Sequence, residues 1–156
     1  MKTVFFTGHR EIKNDRETIQ KLMATLQKLI LDGATDFYAG GAIRWDTLCE
    51  KAVLVMRQNH FPHIKLHLVL PCPPDEQTAR WHTSDRELYR KIFEAADSVE
   101  VLSEHYTNDC MKNRNARLAE LGNVCVCYYD ENRRRSGTAQ TVCMAKKLGR
   151  EILNIR

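Results

Sequence analysis

The sequence has no window of about 18 apolar residues, so it contains no candidate for a membrane-spanning helix. It also lacks G-x-G-x-x-G, G-x-x-x-x-G-K-[ST] and G-x-S-x-G. These absences argue against a standard dinucleotide fold, a P-loop ATPase and a nucleophile elbow. The first residues show no signal-peptide apolar region, and we therefore expect a cytoplasmic protein with no membrane partner.

Metal-binding spacings are also missing. None of the six cysteines forms a C-x-x-C pair, and the histidines after His9 show no ligand spacing, so we expect no metal site. Cys125 and Cys127 alternate within an apolar run and are predicted to be small core residues of one strand face. Cys110 is expected to be more exposed, although nothing indicates a nucleophile.

The composition fits one domain over residues 1–156. The chain is 43% hydrophobic and 28% charged, which are ordinary values for a folded protein. With 24 basic and 20 acidic residues the formal net charge is +4. This mild excess permits an anionic ligand but does not require nucleic acid.

Strand and helix patterns alternate along the whole chain. The first predicted helix begins at Asn14 or Asp15 and ends at Gly33, and the second follows the Gly40-Gly41-Ala42 turn and runs to about residue 59. Further helices are predicted from about 84 to 96 and over 109–121 and 137–148. Strands are predicted at about 3–8, 36–39, 65–70, 98–102, 123–128 and 151–155, and residues 71–83 are expected to be mainly loop. The pattern predicts an α/β fold: a mostly parallel sheet of about six strands with helices on both faces.

Four of the predicted strand-to-helix connections carry unusual residues. Ligands of open parallel sheets bind beyond the carboxyl ends of the strands, so these connections are expected to meet at one edge. They are Thr7-Gly8-His9-Arg10, Gly40-Gly41-Ala42, the start of the helix with Met111, Arg114 and Asn115, and Ser136-Gly137-Thr138.

Ser136-Gly137-Thr138 opens a helix with two hydroxyls around a glycine. The free N–H groups and the helix dipole favour a phosphate-type anion there. The alternative is an ordinary Ser or Thr N-cap, which stabilises a helix by about 1 kcal/mol.

Arg114 and Asn115 lie beside the apolar stripe of their predicted helix. A polar group turned inward needs a partner, because an unpaired one costs several kcal/mol. Two interpretations remain open: an internal salt bridge to an acid at the core edge, or contacts of both residues with a ligand.

Asp46 and Glu50 share one helix face, four residues apart. They suit a general base or a pair of acceptors for ribose hydroxyls, although acids also favour the first turn of any helix. The Arg133-Arg134-Arg135 run is either a solvated loop or a clamp next to the predicted phosphate site.

The ordered set of these motifs resembles the SLOG superfamily, which joins DNA-processing DprA/Smf proteins and the LOG phosphoribohydrolases, and within it the YpsA-like branch. The resemblance spans nearly the whole chain. It is carried by Phe6-Thr7-Gly8-His9-Arg10, Gly40-Gly41-Ala42 with Asp46, Asp109-Cys110-Met111 with Arg114-Asn115, Ser136-Gly137-Thr138, and Ile152-Leu153-Asn154-Ile155. It implies a three-layer Rossmann-like fold that binds a nucleotide or a nucleotide-derived ligand.

The chain departs from the family pattern at three places. Arg44-Trp45 separate the glycine turn from its acid, and we expect them to narrow or reshape the ligand's entry. Glu120 stands where an Asp is expected after the Arg-Asn motif. Ala139-Gln140-Thr141 replaces the stretch in which phosphoribohydrolase-like enzymes carry a Glu, so glycosidic hydrolysis lacks its expected carboxylate.

Taken together, the residues and the resemblance predict a nucleotide-ligand binding or sensing domain, with His9 and Arg10 holding the ligand. Enzymatic activity is left open, and the missing Glu after the Gly-Thr motif argues against it. One alternative is a phosphoribohydrolase-like hydrolase in which Asp46, Glu50 or Glu120 acts with Arg114. Another is a DprA-like binder of single-stranded DNA, which is disfavoured because no basic stripe with stacking aromatics is present. A homo-oligomer is left open.

Overall fold

Six parallel strands form one sheet in a computed structural model of the protein, which describes residues 2–156. The strand order is β4-β3-β2-β1-β5-β6, and every neighbouring pair is parallel. The predicted three-layer α/β fold is therefore confirmed. The strands are β1 (Lys2–Gly8), β2 (Ala34–Ala39), β3 (Lys65–Leu70), β4 (Ser98–Val101), β5 (Val124–Tyr128) and β6 (Glu151–Asn154).

Six helices connect the strands: α1 (Arg16–Leu31), α2 (Trp45–Asn59), α3 (Pro74–Gln77), α4 (Thr83–Ala95), α5 (Cys110–Leu121) and α6 (Gly137–Lys147). Asp15 caps α1 by accepting a hydrogen bond from the Thr18 N–H at 2.9 Å. The short helix α3 falls in the stretch expected to be loop. Proline at a first helical position is favourable because its missing N–H would have no partner there, so Pro74 begins a turn of helix.

The core lies on both faces of the sheet because side chains alternate along each strand. Val4 and Phe6 pack with α1, α2 and α4, whereas Phe5 packs with α5 and α6. Cys125 and Cys127 are buried on the Phe5 side, as predicted. Cys110 is buried too, which contradicts the expected exposure, because the first turn of α5 turns it inward.

The chain changes direction across the sheet at β1. The next three strands, β2, β3 and β4, follow one another outward on one side of β1, and the chain then crosses back to place β5 and β6 on the other side. This is the topological switch point at which open α/β sheets form ligand crevices. Among the helices of residues 2–156, none has the length and apolarity needed to cross a membrane.

Candidate functional site

A cleft of about 520 Å³ lies at the carboxyl ends of β1 and β5. The structure brings most of the predicted residues together at this cleft. Its lining includes Thr7, Gly8, His9, Arg10, Ala42, Asp46, Met111, Arg114, Asn115, Arg133, Arg135, Ser136, Gly137 and Thr138. Three of the four connections selected from the sequence therefore reach the cleft directly, and the second reaches it through Ala42 alone.

Gly8 forms the floor of the cleft because Trp45 leaves no room for a side chain there. A Cβ on Gly8 would overlap the indole ring, which also lies against Tyr128 with ring centroids 5.5 Å apart. Trp45 is fully buried, so it does not narrow the entry as the sequence suggested. Its neighbour Arg44 is exposed and has a positive φ of 71°.

His9 joins the β1 turn to the loop after β5. Its Nε2 accepts a hydrogen bond from the Asp130 N–H at 2.9 Å, so in this pairing the ring is neutral and its proton is on Nδ1. Burial, and then the charge of Arg133, lower the pKa of His9 below its ordinary value. His9 therefore presents a neutral imidazole at the cleft and holds two of its loops together.

The Gly40-Gly41-Ala42 turn lies behind the cleft wall. The carbonyl of Gly40 accepts hydrogen bonds from Arg114 Nη1 and from Gln77 Nε2, the latter at 3.3 Å. The Ala42 N–H donates to Asp46 Oδ2 at 3.1 Å. The backbone of Gly40 and Ala42 thus positions Arg114 and Asp46, and neither Gly40 nor Gly41 lines the cavity.

Three buried ionisable groups lie beneath the cleft: Asp46, Glu50 and Arg114 are 7%, 2% and 4% exposed. Burial raises the pKa of Asp46, while the charge of Arg114 opposes that rise. Burial and the neighbouring Asp46 raise the pKa of Glu50 well above its ordinary value. Glu50 Oε1 has no hydrogen-bond partner within residues 2–156, which fits a protonated carboxyl.

Arg114 forms no ion pair within residues 2–156, so the internal salt bridge left open by the sequence is not formed, and the ligand contact stays a prediction. Burial lowers the pKa of Arg114, and the charges of Asp46 and Glu50 oppose that effect. Its Nε donates to Asn115 Oδ1 at 2.8 Å, and both side chains line the cleft. A ligand in the cavity would therefore meet a guanidinium that is already fixed in position.

The start of α6 forms one wall of the cleft. Ser136 serves as the N-cap, accepting from the Ala139 N–H at 3.0 Å, so the ordinary capping role takes only this hydroxyl. The first N–H groups of a helix have no partners inside it, and Gly137 and Thr138, which carry two of them, line the cleft. A Cβ on Gly137 would meet only Asn115 Nδ2, at 3.8 Å, which leaves open space at this position.

The arginine loop contributes unequally. Arg133 and Arg135 line the cleft, whereas Arg134 does not, although all three are exposed. With Arg10 and Arg114 they give the cleft four guanidinium groups, against the carboxyl groups of Asp46 and Glu11. This balance favours an anionic ligand.

The cleft also has an apolar wall, which the sequence reasoning missed apart from Met111. Phe6 and Leu118 line the cavity beside Met111. The sequence had placed Phe6 in a buried apolar strand and in a family motif, and Leu118 in a helical apolar stripe. Phe6 and Leu118 are only 0% and 2% exposed, so Met111 is the member of this wall that offers apolar surface to a ligand.

Glu120 and Glu50 are not part of the cleft lining. Glu120 lies almost two turns after Arg114, exposed, and its Oε2 is 3.5 Å from Arg117 Nη1. The structure therefore does not bring Glu120 to Arg114, because residues six apart do not share a helix face.

The fold and the cleft define a Rossmann-like α/β protein with an anion-favouring crevice at its switch point. The family model YpsA, described as the YspA SLOG family, matches residues 4–155. The chain belongs to the YspA SLOG family, which confirms the resemblance found in the sequence.

Two relatives are UPF0398 proteins of bacilli. BH1768 of Halalkalibacterium halodurans is 25% identical over 155 residues, covering 98% of this chain and 79% of that protein. The Bacillus pumilus protein is 28% identical over 141 residues, covering 83% and 74%.

Two solved structures share the fold. DNA processing protein A from Helicobacter pylori, described with a single-stranded DNA binding mode, superposes with a TM-score of 0.65 at 17% identity. The match covers 97% of this chain but only 63% of the Helicobacter chain, less than two thirds of its length. The structural-genomics target TM1055 gives a TM-score of 0.60 at 17% identity, covering 97% of this chain and 72% of that one.

Proposed function

We propose that the cleft binds a nucleotide or a nucleotide-derived ligand and that the chain acts as a binding or sensing domain. The observation that carries the proposal is the convergence of the α6 start with four guanidinium groups at one crevice. In this arrangement the phosphate lies at Gly137 and Thr138, where free N–H groups and the helix dipole favour an anion.

The rest of the cleft suits the rest of such a ligand. Asp46 reaches the cavity with a carboxyl that can accept from, or donate to, ribose hydroxyls. Met111, which is partly exposed at the cavity, supplies apolar surface on which a base can lie. Membership of the YspA SLOG family supports the same class of ligand.

The test is a thermal-shift screen with nucleoside mono-, di- and triphosphates, ADP-ribose and cyclic dinucleotides. A ligand at one hundred times its Kd stabilises the folded state by about 2.7 kcal/mol, which raises Tm by several degrees. Gly137→Asp places a carboxylate at the helix start, where a Cβ has room, and should abolish the shift.

Thr83→Asp is the matched control, because it adds the same charge at the exposed first residue of α4. The proposal is wrong if no compound stabilises the protein, or if Gly137→Asp and Thr83→Asp lose the shift equally. A single-stranded oligonucleotide in the same screen tests the DNA-binding alternative. Such binding should weaken steeply with salt.

Hydrolysis is the second candidate, favoured by one observation. Asp46 lines the cleft, and its pKa is raised by burial, as expected for a carboxyl used in proton transfer. Release of free base or ribose phosphate from nucleoside monophosphates, lost in Asp46→Asn, would support it. Equal product from wild type and Asp46→Asn would exclude this role.

A further inference from the structure

Three side chains on neighbouring strands form a hydrogen-bonded chain away from the cleft. Ser98 Oγ lies 2.6 Å from Nδ1 of His67, and Nε2 of His67 lies 2.7 Å from Oδ1 of Asp36. The parallel register pairs His67 with Ser98 and with Tyr38, so these side chains share the sheet face on which α5 packs. Asp36 is on the same face, four residues, or about 13 Å of strand, before the Gly40 turn.

Asp36 is bound so as to orient the imidazole. Its Oδ2 accepts a hydrogen bond from Thr35 Oγ1 at 2.7 Å, while Oδ1 faces His67. Burial opposes ionisation, but the bonds from His67 and Thr35 hold the pKa of Asp36 below its ordinary value. An ionised Asp36 fixes the proton of His67 on Nε2, which leaves the Nδ1 lone pair facing Ser98.

The imidazole is also held by packing. The ring of Tyr38 stacks on His67 with centroids 4.8 Å apart and an interplanar angle of 26°. The side chains of His67 and Asp36 are only 15% and 17% exposed, whereas Ser98 is exposed. The base and the carboxylate are therefore sheltered from water, while the hydroxyl is open to an incoming electrophile.

We propose that Ser98 is an activated nucleophile for acyl transfer from small, unhindered carboxylic esters to water. His67 acts as its general base, and Asp36 orients and stabilises the imidazolium. A nucleophile in contact with a base that a third group orients is the arrangement that nucleophilic catalysis requires. The ring nitrogens are exchanged relative to the serine-protease template, which leaves the path of the proton equivalent.

The reaction has two balanced steps. Ser98 Oγ bonds to the ester carbonyl carbon as its proton moves to His67 Nδ1; the ester C–O bond then breaks, and the alcohol leaves with that proton. Water next attacks the acyl-Ser98 carbonyl, giving up a proton through His67. The Oγ–C bond breaks, the carboxylic acid is released, and the hydroxyl of Ser98 is restored.

The charged side chains beside Ser98 are paired with each other. Glu100, two residues after Ser98 on the same face of β4, accepts a hydrogen bond from Arg117 Nε at 3.1 Å, so the oxyanion that develops at the exposed Ser98 is stabilised by water. Ser98 is open, without the walls of the cleft, so short acyl groups with little selectivity are the expected substrates.

The test uses a fluorophosphonate, which forms an Oγ–P bond with an activated serine and releases fluoride. We expect wild-type protein to be labelled at Ser98, as located by peptide mass spectrometry. Ser98→Ala should abolish the label, and His67→Gln should slow labelling by about 100-fold or more. Asp36→Asn should slow it too, because the amide no longer fixes the tautomer.

Ser84→Ala is the matched control: Ser84 is an exposed serine of α4 with no histidine partner within residues 2–156, and its loss should leave labelling unchanged. Hydrolysis of p-nitrophenyl acetate, lost in Ser98→Ala, should accompany the label. The wild-type peptide map decides the question even where a variant folds poorly.

The proposal is overturned if folded wild-type protein carries no label on Ser98. It is also overturned if His67→Gln is labelled as fast as the wild type. The three side chains would then serve only to join β2, β3 and β4. The result is independent of nucleotide binding, because Gly137→Asp alters the cleft and should not alter labelling.

Discussion

Gly40 and Arg114 lie 74 residues apart in the chain and occupy adjoining space at the cleft. The guanidinium donates a hydrogen bond to the Gly40 carbonyl and fills the volume in which a side chain at residue 40 would begin. The glycine turn and the buried arginine are therefore one unit. Residue 40 has no room for a side chain because Arg114 fills that space, and the Gly40 carbonyl holds the guanidinium of Arg114 in place.

We expect Gly40→Ala to destabilise the protein by about 1–3 kcal/mol, since the new methyl group must displace a buried charged group. Gly137→Ala is the matched control, because its Cβ would meet no atom closer than 3.8 Å. That change should stay within about 1 kcal/mol of the wild type. Urea unfolding of both variants measures the difference, and equal costs would show that the Arg114 contact does not dictate the glycine.

Glu50 should make the protein less stable as pH rises. Its pKa in the folded state is well above the ordinary 4.5 because of burial and Asp46. Above pH 4.5 the unfolded chain has lost a proton that the folded state keeps. The free energy of unfolding therefore falls by up to about 1.4 kcal/mol per pH unit until the folded pKa is passed.

Glu50→Gln removes this titration while keeping a neutral side chain of similar shape. Urea unfolding between pH 5 and 8 should show a smaller decline for this variant than for the wild type. Glu94→Gln, on the exposed surface of α4, is the control and should follow the wild-type curve. Parallel curves for wild type and Glu50→Gln would mean that Glu50 is ionised in the folded protein.

His9 should make the protein less stable as pH falls. Its pKa is lowered by burial and by Arg133, below the ordinary 6.5. As pH falls below 6.5 the unfolded chain gains a proton that the folded state resists, so stability falls, by up to about 1.4 kcal/mol per pH unit. The loss continues until the pKa of the folded state is passed.

His9→Gln keeps an acceptor for the Asp130 N–H but does not titrate. We expect it to be less sensitive than the wild type between pH 6.5 and 5. Nitrogen chemical shifts of the wild-type ring should show the proton on Nδ1 at neutral pH. A proton on Nε2 would contradict the hydrogen bond to Asp130.

The three arginines of the loop after β5 should contribute unequally to the binding of a phosphate ligand. Arg133→Ala and Arg135→Ala each remove a guanidinium from the cleft lining, whereas Arg134→Ala removes the same charge outside it. A charge-assisted hydrogen bond contributes about 1.5–3 kcal/mol, so each of the first two changes should raise the Kd of a phosphate ligand at least tenfold. Calorimetry with the best ligand of the screen measures this, and a similar loss in Arg134→Ala would indicate general attraction by net charge.

The sequence was most informative where its residues obey local rules. Alternation and helical periodicity predicted the strands and the sheet, the ordered motifs indicated the family, and the carboxyl-end rule gathered the cleft residues around Gly8 and Ser136. These signals depend on residues that are close in the chain, so they can be recognised from the sequence alone.

Contacts between distant segments could not be read in this way. Trp45 was expected at the entry, but it packs beneath Gly8, because only the folded sheet brings α2 under β1. The burial of Glu50 was hidden for the same reason. A pair of acids four residues apart looks identical on a solvated helix and on one that covers a core.

The central position of β1 has a consequence for the order in which the protein matures. Thr3 bonds to Asn123, 120 residues later, at the start of β5. At about 5–20 residues per second, synthesis separates these partners by roughly 6–24 s. Throughout that interval one edge of the first strand has no neighbour, and the crevice has no α6 wall. On the ribosome, the crevice must therefore be among the last parts of the fold that the growing chain completes.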